Sequence, residues 1–304
     1  MIRIILALII ILSMLGCGSG DQNPPIIFSI KAEPRIVSPG ESSIITVEAG
    51  DPDKDKISYL WVASGGQVIG NGKTVTWTSP KDEGKYELTV TVSDGSSSAK
   101  NSISVRVWTP RPGDYYPLAI SDKWTFLDKE NNQIDFEVID TIDVSGTKAF
   151  VKKFTISNNE GATYSYVAKG NDVINQHAIS GSSAGDDTII FSPVLPLFKF
   201  PLIPGESWEI EFDVKTPDGF YVGSGKSTYS VISEEDLTVK AGTFGHVFQV
   251  QDDFTWEIFG QELDRTISHH WLAPNVGIVK FVTEQTRGGE TKVTEAELQS
   301  YSIK

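Results

Sequence analysis

Three alternating carboxylates, Asp51, Asp53 and Asp55, are the residues of this sequence best suited to holding a metal ion. Carboxylates that alternate along a turn can converge on a hard cation, and calcium takes several oxygen ligands. Lys54 and Lys56 interleave with these carboxylates and partly neutralise them. The pattern therefore predicts a calcium site at this turn, with a solvated turn as the alternative, and no other cofactor is expected.

A candidate nucleophile is Ser183, because Gly181–Gly185 spells the G-x-S-x-G string of serine hydrolases. That chemistry requires a strand, a strained turn and then a helix that exposes the serine hydroxyl beneath an oxyanion hole. Here a turn and the apolar run Ile189–Phe191 follow the string. We therefore predict no catalytic residues and expect that the protein is not an enzyme.

Two further motifs are incomplete. His269 and His270 are adjacent, so on a strand their side chains point to opposite faces and cannot easily share a metal. Gly223–Thr228 resembles the end of a phosphate-binding loop, but Phe220 occupies the position of the first glycine that such a loop requires. We interpret this segment as a hairpin turn.

The remaining polar and aromatic groups have ordinary interpretations. The acidic pairs and runs, Asp252-Asp253 and Glu234–Asp236, are predicted to be solubilising surface charge, because no spacing implies a catalytic carboxylate pair. Five aromatic residues could form a platform for stacking on sugars, although burial in β cores is the alternative. They are Trp77, Trp108, Trp256, Tyr115 and Tyr116.

The chain is acidic, with a formal net charge of −14, which falls to −15 if residues 1–16 with Arg3 are removed. Phosphate backbones would repel such a surface, so nucleic acid is not an expected partner. Cys17 is the single cysteine, so the chain has no disulfide and no cysteine pair for a metal. Stability must therefore come from buried apolar surface.

The first residues have the features of a secretory leader. Arg3 precedes the apolar run Ile4–Leu15, which as a helix rises about 18 Å and cannot cross a hydrocarbon core of about 30 Å. Met14-Leu-Gly-Cys17 resembles the bacterial lipobox, although the usual motif has leucine where Met14 stands. The resemblance implies removal of residues 1–16 and attachment of fatty acids such as palmitate to Cys17. A secreted protein with an incidental cysteine is the alternative.

Residues 17–25, rich in glycine, proline and polar groups, are predicted to be a tether. Membrane attachment is expected through the acyl chains, because more than one chain makes an anchor stable. Gly18 rather than aspartate follows Cys17, which resembles lipoproteins sent to the outer membrane in bacteria with two membranes. The expected location is therefore the cell envelope, with the outer membrane favoured in such bacteria.

Residues 26–108 show short strands of alternating apolar residues separated by turn clusters, a pattern that predicts a β-sandwich. Asp82-x-Gly84-x-Tyr86 is similar to a tyrosine corner. Asp51-Pro-Asp53, Tyr59-Leu-Trp61, Val75-Thr-Trp77 and Gly84–Gly95 together resemble a PKD-type immunoglobulin-like domain. The resemblance implies a spacer or adhesive module with Trp61 in its core. Residues 109–113, with two prolines and a glycine, are predicted to be a stiff linker.

Residues 114–304 remain β-rich, without a long segment of helical period, and predict a second, larger antiparallel β domain. Three blocks recur in the same order, which indicates an ancient duplication or chance similarity among strands. A curved sheet or half-barrel is a possible shape. Tyr115–Leu118, Ala241–Phe244 and Trp271–Gly277 resemble a widespread, uncharacterised envelope family that brings no established chemistry.

The sequence therefore predicts an all-β envelope lipoprotein with a non-enzymatic binding or scaffolding role. The sequence does not identify its partner, which is a protein, a glycan or a lipid of the envelope. Two alternatives stay open. The larger domain could carry a lipid or other apolar ligand in a cleft that Ile189–Phe200 lines or borders, or the protein could bind polysaccharide through exposed aromatic side chains.

Overall fold

The computed structural model describes residues 23–159, 161–181, 187–258 and 261–304. These residues form two compact units that divide between Thr109 and Pro110. Both units are built from β-strands, as the period-two alternation predicts. Within the described ranges, no helix is sufficiently long and apolar to cross a bilayer.

The amino-terminal unit is a sandwich of two four-stranded sheets, with strand orders β1-β3-β6-β5 and β2-β8-β7-β4. All pairings are antiparallel except that between β2 and β8. The strands are β1 (Ile26–Glu33), β2 (Ile36–Val37), β3 (Ser42–Gly50), β4 (Ser58–Ala63), β5 (Gln67–Ile69), β6 (Thr74–Thr78), β7 (Gly84–Ser93) and β8 (Ser98–Val107).

The core of this sandwich is formed by the inward-facing residues of both sheets. Trp61 and Trp77 are both buried there, and each indole N–H donates a hydrogen bond to a backbone carbonyl oxygen. The Tyr86 hydroxyl donates a 3.0 Å hydrogen bond to the carbonyl oxygen of Asp82, four residues upstream. This bond confirms the tyrosine corner that the sequence motif predicts.

The carboxy-terminal unit is a closed, twelve-stranded antiparallel barrel in which each strand pairs with the next and β20 returns to β9. The sequence pattern left open a curved sheet or half-barrel, and the structure shows full closure. The strands are β9 (Lys123–Asp128), β10 (Gln133–Val144), β11 (Thr147–Ile156), β12 (Ala162–Lys169), β13 (Val173–Ser180), β14 (Ile189–Lys199), β15 (Ser207–Lys215), β16 (Tyr221–Val239), β17 (Gly242–Ile258), β18 (Gln261–Ala273), β19 (Gly277–Arg287) and β20 (Glu290–Ser302).

One buried cluster of the barrel contains residues of β9, β10, β19 and β20, where the closing strands meet. Phe126 contacts Phe136 and Phe281 edge to face, with ring centroids 5.5 and 5.2 Å apart. The Trp124 indole, also in this cluster, donates a 2.6 Å hydrogen bond to the Val276 carbonyl oxygen. This packing fixes one wall of the barrel and leaves the space beside it open.

Candidate functional site

The candidate site is a cavity of about 370 Å³ inside the barrel. Side chains from β10–β14 and β16–β20 line it, together with Tyr116 from the segment before β9. Walls from ten strands place the cavity within the closed sheet. Most of the surface of this lining is apolar, although nine of its eighteen residues carry polar groups. The nine apolar residues are Ile134, Phe136, Phe154, Ile156, Val167, Leu197, Phe198, Ile278 and Phe281.

Strand alternation explains why polar groups reach this apolar interior. Phe150, Lys152 and Phe154 occupy alternate positions of β11 and therefore share a face, and Val250, Asp252 and Phe254 do so on β17. Across the sheet, Tyr229 pairs with Asp252 and His270 pairs with Val250. The pleat thus places Lys152, Tyr229, Asp252 and His270 on the cavity wall.

Lys152 lies in a box of aromatic rings. The lysine is 8% exposed, and its Nζ lies 4.7, 4.9 and 5.3 Å from the ring centroids of Phe136, Tyr116 and Trp124. Nζ also lies 3.1 Å from the Tyr116 hydroxyl, to which it donates a hydrogen bond. Ring faces attract a cation, so the box stabilises an ammonium group that is largely removed from water.

The second polar group of the cavity is the carboxyl group of Asp252, which is hydrogen-bonded to a serine. The Ser227 hydroxyl, on a fully buried residue, donates a 2.5 Å hydrogen bond to Oδ1 of Asp252. Burial raises the pKa of Asp252 to about 7; the Ser227 hydrogen bond opposes this shift, and the charge of Asp253 adds to it. Burial also raises the pKa of the neighbouring Tyr229 hydroxyl. Near neutral pH, Asp252 therefore exchanges between charged and uncharged forms.

His270 contributes an uncharged ring. Burial lowers its pKa to about 4, and the charges of Lys152 and His269 act in the same direction. Its Nδ1 is buried and has no hydrogen-bond partner among the described residues. His270 therefore presents an uncharged ring to the cavity.

The segment predicted to line or border a cleft does contribute to this site. Leu197 and Phe198, both on β14, lie in the cavity wall. The Phe198 ring packs against Tyr116 and His270, with centroids 5.3 and 6.0 Å away. The two adjacent histidines lie on opposite faces of β18, as predicted. His269 contacts Gln249 and the Trp271 ring, whereas His270 lines the cavity.

Two of the three predicted calcium ligands, Asp51 and Asp53, accept hydrogen bonds from backbone N–H groups. Asp51 Oδ1 accepts hydrogen bonds from the backbone N–H groups of Asp53 and Asp55 at 2.9 and 3.1 Å, and Asp53 Oδ2 accepts one from Asn23 at 2.7 Å. Over the described ranges, no three Asp, Glu or His side chains form a group that could hold a metal ion. The calcium site stays a prediction without support from this geometry.

The proposed aromatic platform is not assembled. Trp77, Trp108, Tyr115 and Tyr116 are at most 7% exposed. Trp77 packs in the sandwich core, Tyr115 against Phe248 and Tyr116 in the cavity wall. Trp256 is half-buried at the border of a second cavity of about 600 Å³, which also contains the polar residues Glu211, Asp213 and Lys226. The structure therefore contradicts a sugar platform made of these five residues.

Two other interpretations need correction. Gly223–Thr228 is not a hairpin turn but part of β16, and Gly225 is needed there because the Phe212 ring occupies the space of a Cβ atom. Asp252 is not surface charge, because its position on β17 turns it into the barrel; Asp253, on the other face, pairs with Arg265 at 2.7 Å.

Ser183 and Cys17 lie outside the described residues.

Sequence reasoning missed Lys152, Tyr229 and Ser227 altogether. The sequence did contain a usable signal, because the residues two positions before and after Lys152 and Asp252 are apolar. Residues spaced by two on a strand share a face. A charged residue in the apolar phase of a strand points into the core or into a cavity. The enclosed space itself could not be inferred, because it depends on closure of the sheet.

Residues 27–107 match the family model of the PKD domain, and the amino-terminal unit is therefore a PKD domain. Chitinase A from Pseudoalteromonas piscicida is 36% identical over 78 residues, which cover 24% of this chain and 10% of the chitinase. The chain thus spans about a tenth of the length of this curated relative.

Two solved structures show weaker similarity. An exported protein with a YmcC-like fold from Bacteroides fragilis is 13% identical, with 63% of this chain and all of that chain covered and a TM-score of 0.36. A quinonprotein alcohol dehydrogenase-like protein from Bacteroides thetaiotaomicron is 6% identical, with 88% and 95% covered and a TM-score of 0.20. Neither similarity supports a conclusion about this chain.

Proposed function

We propose that this chain is a non-enzymatic binding protein of the cell envelope whose barrel holds an apolar or amphiphilic small molecule. The observation that carries the proposal is the cavity of about 370 Å³, whose wall surface is predominantly apolar and whose polar groups come from half of its lining residues. Such cavities, of about 300 to 1,000 Å³, are typical of small-molecule sites in proteins. The PKD domain then serves as the spacer or adhesive module of the molecule.

The proposal also includes attachment to a membrane through acyl chains on Cys17, in the outer membrane where the organism has two. Its support is the lipobox-like sequence Met14–Cys17 and the polar tether that follows. Labelled palmitate should enter the full chain in growing bacteria and should not enter the Cys17→Ser variant. Equal labelling of both chains would refute the anchor and leave the cavity unaffected.

Binding in the barrel can be tested with Nile red, an uncharged dye whose fluorescence rises in apolar surroundings. The purified full chain should bind it saturably. Thr294→Phe fills the cavity with a ring from β20 and should weaken binding at least tenfold. Gln299→Phe adds the same ring at an exposed position of β20 and should leave binding unchanged.

Three results would contradict the proposal. The first is an absence of saturable binding to the wild-type chain, and the second is equal binding by Thr294→Phe and the wild type. The third is an equal loss in both phenylalanine variants, which would place the dye on the outer surface of the barrel. Circular dichroism of each variant verifies that the barrel remains folded.

A further inference from the structure

Lys152 brings a positive charge into the barrel without a negative partner. Across the described ranges, no Asp or Glu oxygen lies within 4.0 Å of its Nζ. The ammonium group has three N–H donors, and the Tyr116 hydroxyl accepts from it at 3.1 Å. A buried charge is costly unless it is paired and hydrogen-bonded, and the aromatic box offsets only part of that cost.

The other titratable groups of the cavity do not balance this charge. His270 faces Lys152 and is uncharged near neutral pH, since burial and Lys152 both lower its pKa. Asp252 is hydrogen-bonded by Ser227, and Lys152 is not among the groups that influence its pKa. Tyr116 and Tyr229 add hydroxyl groups to the cavity wall rather than carboxylates.

We infer that the ligand of the barrel is a single-chain amphiphile with one carboxylate, and that this carboxylate binds Nζ of Lys152. The inference rests on the proposed function, because it assigns a chemical class to the ligand of the same cavity. Charge-assisted hydrogen bonds from an ammonium group to a carboxylate are short and strong, and they are strongest where water is excluded. The carboxylate of the ligand thereby provides the negative charge that no described Asp or Glu side chain provides to Lys152.

The size and composition of the cavity fit the rest of such a molecule. The cavity volume of about 370 Å³ lies in the range of about 300 to 1,000 Å³ that is typical of small-molecule sites. Phe154, Ile156 and Phe281 present apolar surface to an acyl chain. A single acyl chain therefore suits the size and the lining of the cavity.

The test compares dodecanoate with dodecanol, which share a twelve-carbon chain and differ in the charge of the head group. Each competes with Nile red for the purified full chain, below the concentration at which dodecanoate forms micelles. We expect dodecanoate to bind at least tenfold more tightly than dodecanol. Lys152→Met keeps an unbranched side chain without charge and should reduce this ratio to about one, whereas Lys152→Arg should retain most of it.

Lys153→Met is the matched control. Lys153 follows Lys152 on β11, so its side chain points to the opposite face, and it is absent from the cavity wall. This variant should keep the wild-type preference for dodecanoate. A preference lost equally in Lys152→Met and Lys153→Met would reflect general surface charge and overturn the inference.

The outcomes separate the two levels of the proposal. Equal affinity of the wild type for both compounds refutes the carboxylate assignment and leaves the apolar cavity intact. Failure of both compounds and of Nile red to bind refutes the proposed function itself. Because an unpaired buried charge destabilises the empty barrel, Lys152→Met should melt no lower than the wild type. A much lower melting temperature would identify Lys152 as a structural residue and contradict the assignment.

Discussion

Ser227 donates its hydroxyl hydrogen to Oδ1 of Asp252 across a distance of 2.5 Å, on the inner wall of the barrel. Because burial raises the pKa of Asp252 to about 7, the folded chain binds this proton more tightly than the unfolded chain does. Asp252 therefore lowers the free energy of unfolding as the pH rises from about 4 to about 7. His270, whose pKa is lowered to about 4, has the opposite effect up to its unfolded value of about 6.5.

The first prediction concerns the pH dependence of stability in Asp252→Asn. Asparagine can still accept the Ser227 hydrogen bond but carries no charge, so the variant should gain stability over the wild type as the pH rises. The difference should grow by up to about 4 kcal/mol between pH 4 and pH 8, since one pKa unit corresponds to about 1.4 kcal/mol. Urea denaturation of both chains at several pH values measures this difference.

Asp253→Asn is the control for that experiment. Arg265 holds the pKa of Asp253 low through two hydrogen bonds and its charge, and burial opposes this. The ion pair stabilises the fold above the unfolded pKa and loses its effect only at acid pH. Above pH 5, Asp253→Asn should therefore change stability by a constant amount, below about 1 kcal/mol for this partly exposed pair. A flat difference for Asp252→Asn would show that its carboxyl group is hydrated.

The second prediction concerns Gly225 in β16. A Cβ atom at this position would lie 2.5 Å from both the Phe212 ring and the carbonyl oxygen of Thr255. Gly225→Ala should therefore destabilise the barrel by about 1 to 3 kcal/mol, as overpacking does in other cores. Thermal denaturation followed by circular dichroism provides the measurement.

Gly161→Ala is the matched control, because a Cβ atom there has Asn159 Oδ1 as its nearest neighbour at 3.6 Å. This substitution should change stability by no more than about 0.5 kcal/mol. Equal effects of the two alanines would mean that the Phe212 ring moves aside at little cost.

The third prediction concerns the tyrosine corner of the PKD domain. Tyr86→Phe removes the hydroxyl that donates to the Asp82 carbonyl oxygen at 3.0 Å, and should cost about 1 kcal/mol. Tyr59→Phe, at another half-buried position, should cost less, because no described residue accepts a hydrogen bond from its hydroxyl. Scanning calorimetry of the full chain should show a shift in the transition of one unit alone. An unshifted Tyr86→Phe transition would show that water replaces the bond without loss.

Most strands were predictable because one face of each is buried and the other is more exposed. Apolar and polar residues therefore alternate along the strand, and the sequence shows this alternation directly. Trp61 and Tyr86 took their expected places for the same reason. The two aromatic residues Tyr115 and Tyr116 were harder to place, because their burial depends on strands that are distant in sequence, such as β17 for Tyr115. Apolar patterning tells which residues are buried but not what encloses them.

Lys152 and Asp252 were not recognised for a related reason. In sequence, Lys152-Lys153 and Asp252-Asp253 are pairs of like charge, which favours a solvated interpretation for both members. The pleat separates each pair, so one member faces the cavity and the other faces outward. The different surroundings of the two members of each pair therefore arise from register, which is set only when the neighbouring strands have paired.

Pairing between β9 and β20 has a consequence for how the barrel forms. This seam joins Lys123 to Ser302 and Phe126 to Leu298, residues that are remote in sequence. The entropy cost of closing so long a loop must be met before the seam contributes any bonds, so closure is a late and slow event. Until then, both seam strands expose unpaired edges that can recruit other chains. A chaperone that shields those edges before closure would therefore protect the protein at its most aggregation-prone stage.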